Sequence, residues 1–122
     1  MLLDCHPVIE PSAIEIRTVN GSIRVGELNY TTEFEQTIAR AEESLKLLGE
    51  HKIFERRQSV DYTFLIHFQS TTEFFDYFEY WASYYDPLSD DLKKQIERNF
   101  ARSGTEIVLD TRCTSTAFNK RG

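Results

Sequence analysis

A regular alternation of side chains over residues 60–69 constrains the fold of this chain more than any other feature of its sequence. Every second position is apolar: Val60, Tyr62, Phe64, Ile66 and Phe68. The positions between them are polar apart from Leu65. Because successive side chains of a β-strand point to opposite faces of the sheet, this pattern predicts a long strand with one buried face.

A β-hairpin is predicted nearer the start of the chain, with Asn20 and Gly21 at the centre of its turn. An Asn-Gly pair accepts positive φ at both central positions of a type I′ turn, which joins antiparallel strands. Apolar residues alternate with polar ones on both sides of the turn, at Ile14, Ile16, Ile23 and Val25. This ribbon is therefore predicted to have one apolar and one charged face. Residues 2–7 predict a further short strand, ended by Pro7.

Two amphipathic helices are predicted from their caps and their period. The first begins at Thr32, which forms a capping box with Glu35, and ends at Gly49. One stripe on it is apolar: Phe34, Ile38, Ala41, Leu45 and Leu48. The other begins at Ser89 or Asp90 and closes at Gly104, with apolar residues at Leu92, Ile96 and Phe100.

An aromatic helix is predicted between them, from a capping box of Ser70 and Glu73 to the break at Asp86-Pro87. One face carries Phe74, Phe78, Trp81 and Tyr85, which we expect to form core. The helix carries four further aromatic residues that the same face cannot bury: Phe75, Tyr77, Tyr80 and Tyr84. Such a helix fits burial on several sides, a partner surface or the border of a small-molecule pocket.

The last predicted strand covers residues 106–118, which are rich in Ile, Val and Thr. Because this strand and the one at 60–69 both keep polar residues on one face, we expect them to pair antiparallel. The predicted fold is a single α+β domain over residues 1–122. Its mostly antiparallel, twisted sheet contains the N-terminal hairpin and two long strands, with about three helices covering one face.

The charge balance argues against two classes of partner. The chain has 14 Lys and Arg against 20 Asp and Glu, a net charge of −6. A nucleic acid or an anionic membrane repels this charge, so neither is expected as a partner. No apolar run approaches the ~18 residues that span a bilayer, and no leader opens the chain. We expect a cytoplasmic protein.

The two cysteines, Cys5 and Cys113, belong to no Cys-x-x-Cys motif. We expect two reduced thiols in an intracellular protein. The alternative is one disulfide joining the two ends of the chain, which requires an oxidising compartment.

No complete motif for catalysis, metal binding or cofactor binding occurs in the sequence. No histidine lies in the setting of an activated nucleophile, and adjacent acidic residues on a helix cannot chelate together. The glycines are isolated, whereas a phosphate cradle needs them clustered. The sequence therefore predicts no catalytic residue, no cofactor-binding residue and no metal ligand.

A small-ligand site is the one candidate site in the sequence. His67 lies within the long strand, and either lines a pocket as a base or bonds to a neighbour across the sheet. In the first case it forms the floor of a pocket roofed by Tyr77, Tyr80, Trp81 and Tyr84.

The first strand carries a family resemblance. Its sequence, LLDCHP over residues 2–7, is similar to the LLDLHP string that can follow the RVLRPGG turn in class I S-adenosylmethionine-dependent methyltransferases. Tyr62 to Phe68, Ser70, Glu73, Tyr77 and Trp81 resemble an aromatic segment of some bacterial members. The strand that starts at Glu106 resembles the last antiparallel strand of that fold.

The resemblance implies the C-terminal region of a methyltransferase-like protein without its cofactor-binding half, so no cofactor residue is transferred to this chain. By this resemblance, Asp4 and His6 would lie at the edge of the family's cofactor pocket. Because the missing half leaves strand edges unpaired, it implies a homodimer. We therefore expect a non-enzymatic interaction or accessory domain. The alternatives are a module for a small hydrophobic or aromatic ligand, and a methyltransferase subunit completed by another chain.

Overall fold

The computed structural model describes residues 2–51 and 54–120, which form five strands and three α-helices. In chain order the elements are β1 (Leu2–Pro7), β2 (Ser12–Thr18), β3 (Gly21–Leu28), α1 (Thr32–Glu50), β4 (Phe54–Phe68), α2 (Thr71–Tyr80), α3 (Asp90–Ser103) and β5 (Gly104–Lys120). The predicted α+β class, with a mostly antiparallel sheet and three helices, is confirmed.

Strand β5 lies at the centre of the sheet. It pairs with β4 along one side, from Phe68↔Ile107 to Phe54↔Lys120. On its other side it pairs first with β2 and then with β1, and β3 pairs with the outer side of β2. All these pairings are antiparallel, which confirms the predicted pairing of the two long strands.

The hairpin of β2 and β3 forms as predicted, but its turn lies one residue earlier. Thr18 pairs with Gly21, so Val19 and Asn20 occupy the loop. The Thr18 hydroxyl donates to the Gly21 carbonyl at 3.2 Å. Gly21 has a φ of +148°, a conformation that only glycine adopts without strain. The prediction of Asn20 and Gly21 as the central pair is therefore wrong.

Serine and threonine side chains cap all three helices. Ser70 accepts from the Glu73 amide and Ser89 from the Leu92 amide, as predicted. The cap of α1 is Thr31, which accepts from the Phe34 amide at 3.1 Å, and not the predicted Thr32. Helix α1 also continues past Gly49 to Glu50.

Helix α2 ends at Tyr80, six residues before the predicted break. The reason is a competing set of backbone hydrogen bonds with the segment between β3 and α1. The Thr31 amide donates to the Tyr84 carbonyl at 3.0 Å, and the Asp86 amide donates to the Asn29 carbonyl at 2.8 Å. Residues 82–84 form a short 3-10 turn instead, and Tyr85 is extended.

Helices α2 and α3 pack on one face of the sheet and enclose the hydrophobic core. Its buried residues are Ile14, Ile16, Leu28, Phe68, Phe74, Leu88, Ile96, Ile107 and Leu109. From β5 this core takes the odd-numbered side chains. The even-numbered side chains Thr114 and Thr116 point the other way and line a cavity together with Leu45 of α1. Helix α1 thus covers part of the opposite face, and the prediction that helices cover one face is wrong.

Candidate functional site

A cleft with aromatic walls lies on the core face of the sheet, beside the end of α2. Its volume is about 420 Å³. Seven aromatic side chains line it: Tyr30, Phe34, Phe64, Tyr77, Trp81, Tyr84 and Tyr85. Pro7, Ile66, Thr111 and Cys113 complete the lining. We call this the aromatic cleft.

The aromatic rings reach the cleft from separate parts of the sequence. Tyr77 lies in the last turn of α2 and Trp81 is the residue that caps its C-terminus, so the two, four residues apart, face the same side. Phe64 comes from the core face of β4. The segment between β3 and α1 brings Tyr30, whose bridge to Tyr85 joins it to the chain that follows α2.

Contacts between the rings hold the walls in place. Tyr30 stacks on Tyr85 with ring centroids 5.4 Å apart and planes 20° apart. Phe34 meets Tyr84 edge-on at 4.9 Å. Trp81 lies 5.7 Å from Tyr84 and 6.4 Å from Tyr77. These separations suit favourable aromatic pairs, so the cleft is formed before any ligand enters.

The mouth of the aromatic cleft leaves large apolar side chains in water. Phe64 keeps 53% of its surface exposed, Trp81 38% and Tyr84 39%. On the same sheet face, exposed side chains of β1 and β4 continue the surface away from α2. We call Leu3, Val60 and Tyr62 the apolar strip. An apolar surface of this kind is typical of a binding site.

The base of the aromatic cleft is polar but uncharged. The hydroxyl of Thr111, which lines the base, hydrogen-bonds at 2.9 Å to the hydroxyl of Ser12, which is buried behind it. The Cys113 thiol and the tyrosine hydroxyls are the other polar groups. None of the described residues in the lining carries a formal charge at neutral pH. The cleft thus combines apolar walls with a few neutral donors and acceptors.

Burial raises the pKa of three tyrosine hydroxyls and of the Cys113 thiol in the cleft. It raises the pKa of Tyr85 well above the usual range of a tyrosine, and nearby Tyr77 and Tyr30 add to the rise. Burial likewise raises the pKa of Tyr30 and of Tyr77. It also raises the pKa of Cys113, with a smaller contribution from Cys5. Because the thiolate is the nucleophile, the Cys113 thiol is a neutral wall group and not a reactive one.

The raised tyrosine pKa values predict a loss of stability in alkali. Below about pH 10 these hydroxyls are protonated in both the folded and unfolded chain, so their contribution is fully present. Above it the unfolded chain releases these protons first, and the free energy of unfolding falls as pH rises toward the folded-state pKa values. Urea unfolding followed by circular dichroism between about pH 8 and about pH 11 measures this fall.

In the Tyr85→Phe variant the fall should be smaller. Tyr80→Phe is the matched control, since Tyr80 is 78% exposed and lies outside the aromatic cleft. A free energy of unfolding that stays constant across this range would contradict the assignment, as would equal slopes in the two variants.

Three of the five side chains predicted for a ligand site line the aromatic cleft: Tyr77, Trp81 and Tyr84. Tyr80 does not line it. Its ring points into solvent and meets the edge of Trp81 at 4.9 Å, so it supports a wall from outside.

His67 does not form the floor of the aromatic cleft, and this part of the prediction is wrong. It alternates with Ile66 and Phe68 along β4 and therefore points to the opposite face. There its Nδ1 lies 3.3 Å from a carboxylate oxygen of Glu106, which also pairs with Arg17. The alternative interpretation, a strand histidine bonded to a cross-strand neighbour, describes its position.

The prediction of a ligand site missed four wall residues. Phe64 and Tyr85 were expected in the core, and both lie on the predicted faces, but the cover of α2 stops short of them. Tyr30 lies in the segment before α1, and Phe34 lies in the first turn of α1. In the sequence these two residues are only a pair of aromatic side chains on either side of the Thr31 cap. They become cleft walls because Tyr85 packs on Tyr30 and Tyr84 packs on Phe34, and the local sequence does not indicate these contacts.

Both cysteines are free thiols. Cys5 pairs with Ser115, and its sulfur lies 3.0 Å from the Ser115 hydroxyl. Cys113 is two residues away along β5, so the two cysteines are diagonal neighbours on one face, farther apart than a directly opposite pair. The structure has the predicted reduced form.

Among the described residues, no group of three or more His, Cys, Asp and Glu is arranged to hold a metal ion. None of the helices they form is long and apolar enough to cross a membrane. Comparisons with protein-family models, curated proteins and solved structures give no match for this chain. The resemblance to methyltransferases stays a prediction.

Proposed function

We propose that this domain is a non-enzymatic binding module that takes a small, flat, uncharged molecule into the aromatic cleft. One observation carries the proposal. Seven aromatic rings from separate parts of the chain converge on one cleft, and those at its mouth remain partly in water. A core would bury these rings, whereas a site must leave them accessible.

The size and chemistry of the aromatic cleft define the ligand. Its volume of 420 Å³ suits a small molecule, since ligand pockets are typically about 300–1,000 Å³. Rings such as Trp81 and Phe64 favour a flat apolar body that can lie against them. The lining offers no counter-charge among its described residues, so an ionic ligand would lose hydration without compensation.

Fluorescence of the single tryptophan tests the proposal. Trp81 lies in the cleft wall, so coumarin, a flat and uncharged probe, should quench its emission to saturation. Phe64→Ala should weaken the affinity by about tenfold, because it removes one wall against which the probe packs. Tyr62→Ala is the matched control, since Tyr62 lies two residues earlier on the same face of β4 and outside the cleft.

Coumarin should bind equally to the Tyr62→Ala variant and to the unchanged protein. The proposal fails if quenching never saturates, or if Phe64→Ala and Tyr62→Ala bind alike. S-adenosylmethionine is included in the same titration. Tight binding of this charged cofactor would favour the methyltransferase alternative instead.

A homodimer is the second candidate, and the apolar strip favours it. Leu3, Val60 and Tyr62 lie exposed on the face of β1 and β4. Among the described strands none pairs with the outer edge of β4, and an open edge invites a further strand. Light scattering on the same samples separates the candidates. A dimer that excludes coumarin from Trp81 would assign this surface to a second copy of the chain.

A further inference from the structure

A second cavity lies on the opposite face of the sheet, between α1 and strands β1, β4 and β5. Its volume is about 480 Å³. His6, Ser59 and Thr114 are in the wall formed by the strands, and Glu42 and Lys46 are in the wall formed by α1. We call this the polar cavity. Its residues differ entirely from those of the aromatic cleft.

The floor of the polar cavity is built from two adjacent rows of polar side chains. In one row Thr116 of β5 lies beside Ser59 of β4, and in the next row Thr114 of β5 lies beside His6 of β1. A sheet face covered by a helix is normally apolar, because that is where the core forms. Core packing does not explain these four polar side chains, which lie in register beneath α1.

A β-bulge in β4 completes this floor. The register shifts between Arg56 and Gln58, so Arg56 pairs with Phe118 while Ser59 pairs with Thr116. The step from Arg56 to Ser59 is three residues along β4, but the matching step from Phe118 to Thr116 is two residues along β5. Arg56 and Ser59 therefore point to the same face of the sheet. The Arg56 guanidinium then donates to the Ser59 hydroxyl at 2.8 Å. Bulges are enriched beside binding and active sites, where they redirect a side chain.

Hydrogen bonds fix the polar groups before any ligand enters. The two ring nitrogens of His6 each face a carboxylate, Asp4 at 2.5 Å and Glu42 at 3.2 Å. The Ser59 and Thr116 hydroxyls are 2.7 Å apart. No buried side-chain N or O atom lacks a partner in the part of the chain that the structure describes. These bonds orient the polar side chains that face the cavity, which suits recognition.

The charged side chains that line the polar cavity balance, so the lining favours neither an anion nor a cation. Glu42 and Glu50 oppose Lys46 and Arg56, two of each sign. The C-terminal turn of α1, at Gly49 and Glu50, adds the negative end of a helix dipole, which disfavours an anion. The guanidinium and ammonium groups disfavour a cation. The lining therefore offers both hydrogen-bond donors and hydrogen-bond acceptors to a neutral ligand.

We propose that the polar cavity binds a small uncharged polyol or sugar ring. Its hydroxyl groups both donate and accept, and so match Arg56, Thr114 and Glu42 at once. Leu45 and Phe118 offer apolar surface for the carbon skeleton of the ring.

The test uses myo-inositol as the probe and amide NMR shifts as the signal. Saturable shifts are expected at Thr114, Thr116 and the last turns of α1. Arg56→Gln should weaken binding by about tenfold, because it replaces a charged donor at the wall. Arg24→Gln is the matched control. Arg24 is also an exposed strand arginine that bonds three residues ahead, to Glu27, but it lies outside the cavity.

Inorganic phosphate and choline are titrated in parallel. Saturable shifts at Thr114 and Thr116 with either ion, and none with myo-inositol, would overturn the ligand class. Absence of saturable shifts with all three probes would overturn the site, and so would equal loss of affinity in the Arg56→Gln and Arg24→Gln variants. Coumarin binding at Trp81 is measured separately, so failure of one site leaves the other result intact.

Discussion

Replacing Phe74 with alanine should lower the free energy of unfolding by about 3–5 kcal/mol, the usual cost of emptying a buried phenylalanine site. Phe74 is fully buried at the centre of the core. Its ring meets Phe68 of β4 edge-on at 5.3 Å and lies 5.7 Å from Phe75. The variant therefore loses the contact that docks α2 on the sheet, and leaves a cavity. Urea unfolding followed by circular dichroism measures the loss.

Tyr80→Ala is the control in the same helix. Its side chain is 78% exposed, and surface changes of this kind alter stability by about 0.5 kcal/mol or less. If the two variants lost equal stability, α2 would not be docked through Phe74. Since small domains are stable by only about 5–15 kcal/mol, the Phe74 variant is also expected to melt at a markedly lower temperature.

Gly104→Ala should cost about 1–3 kcal/mol, the range for forcing an atom into a packed site. Gly104 joins α3 to β5 with a φ of −73°, which any residue adopts, so the effect is purely steric. An added Cβ would lie 2.7 Å from the Cα of Phe100 and 2.9 Å from its carbonyl oxygen. Both are backbone atoms of α3, which cannot move without shifting the helix against the sheet.

Gly49→Ala is the matched control and should have the opposite sign. Gly49 lies in the last turn of α1, and an added Cβ would meet nothing within 4 Å. Alanine in a helix is more stable than glycine by about 0.5–1 kcal/mol, because glycine loses more backbone freedom on folding. Thermal unfolding of the two variants should therefore shift in opposite directions. A shift in the same direction would contradict the close approach at Gly104.

The sequence was sufficient for the elements whose signal is local. The alternation in β4 and the Ser70 and Ser89 caps follow from neighbouring residues. The antiparallel pairing of β4 with β5 is long-range, but the polar face that each strand keeps was enough to predict it. Errors arose where a distant segment competes. The end of α2 moved because residues 84–86 bond to residues 29–31, and no local pattern in either segment announces that contact.

The candidate site was predicted in part for a related reason. Helical spacing correctly predicts Tyr77, Trp81 and Tyr84 as residues of the site, even though α2 is shorter than predicted. The prediction for His67 is wrong because the sequence alone does not show which face of β4 is covered by α2. Given that face, strand alternation alone separates His67 from Phe64 and Ile66. The polar cavity was beyond prediction, since the bulge near Arg56 changes which side chains share a face.

The central position of β5 also decides when this sheet can assemble. Of the five strands, β1 and β4 pair only with β5, and β2 has just β3 as an earlier partner. A chain emerging from the ribosome can therefore close the β2–β3 hairpin early, while β4 has no strand partner until residues 104–120 are made. Such long-range pairing folds slowly and exposes aggregation-prone surface meanwhile. In this protein that interval lasts until β5, the last strand of the sheet, has been synthesised.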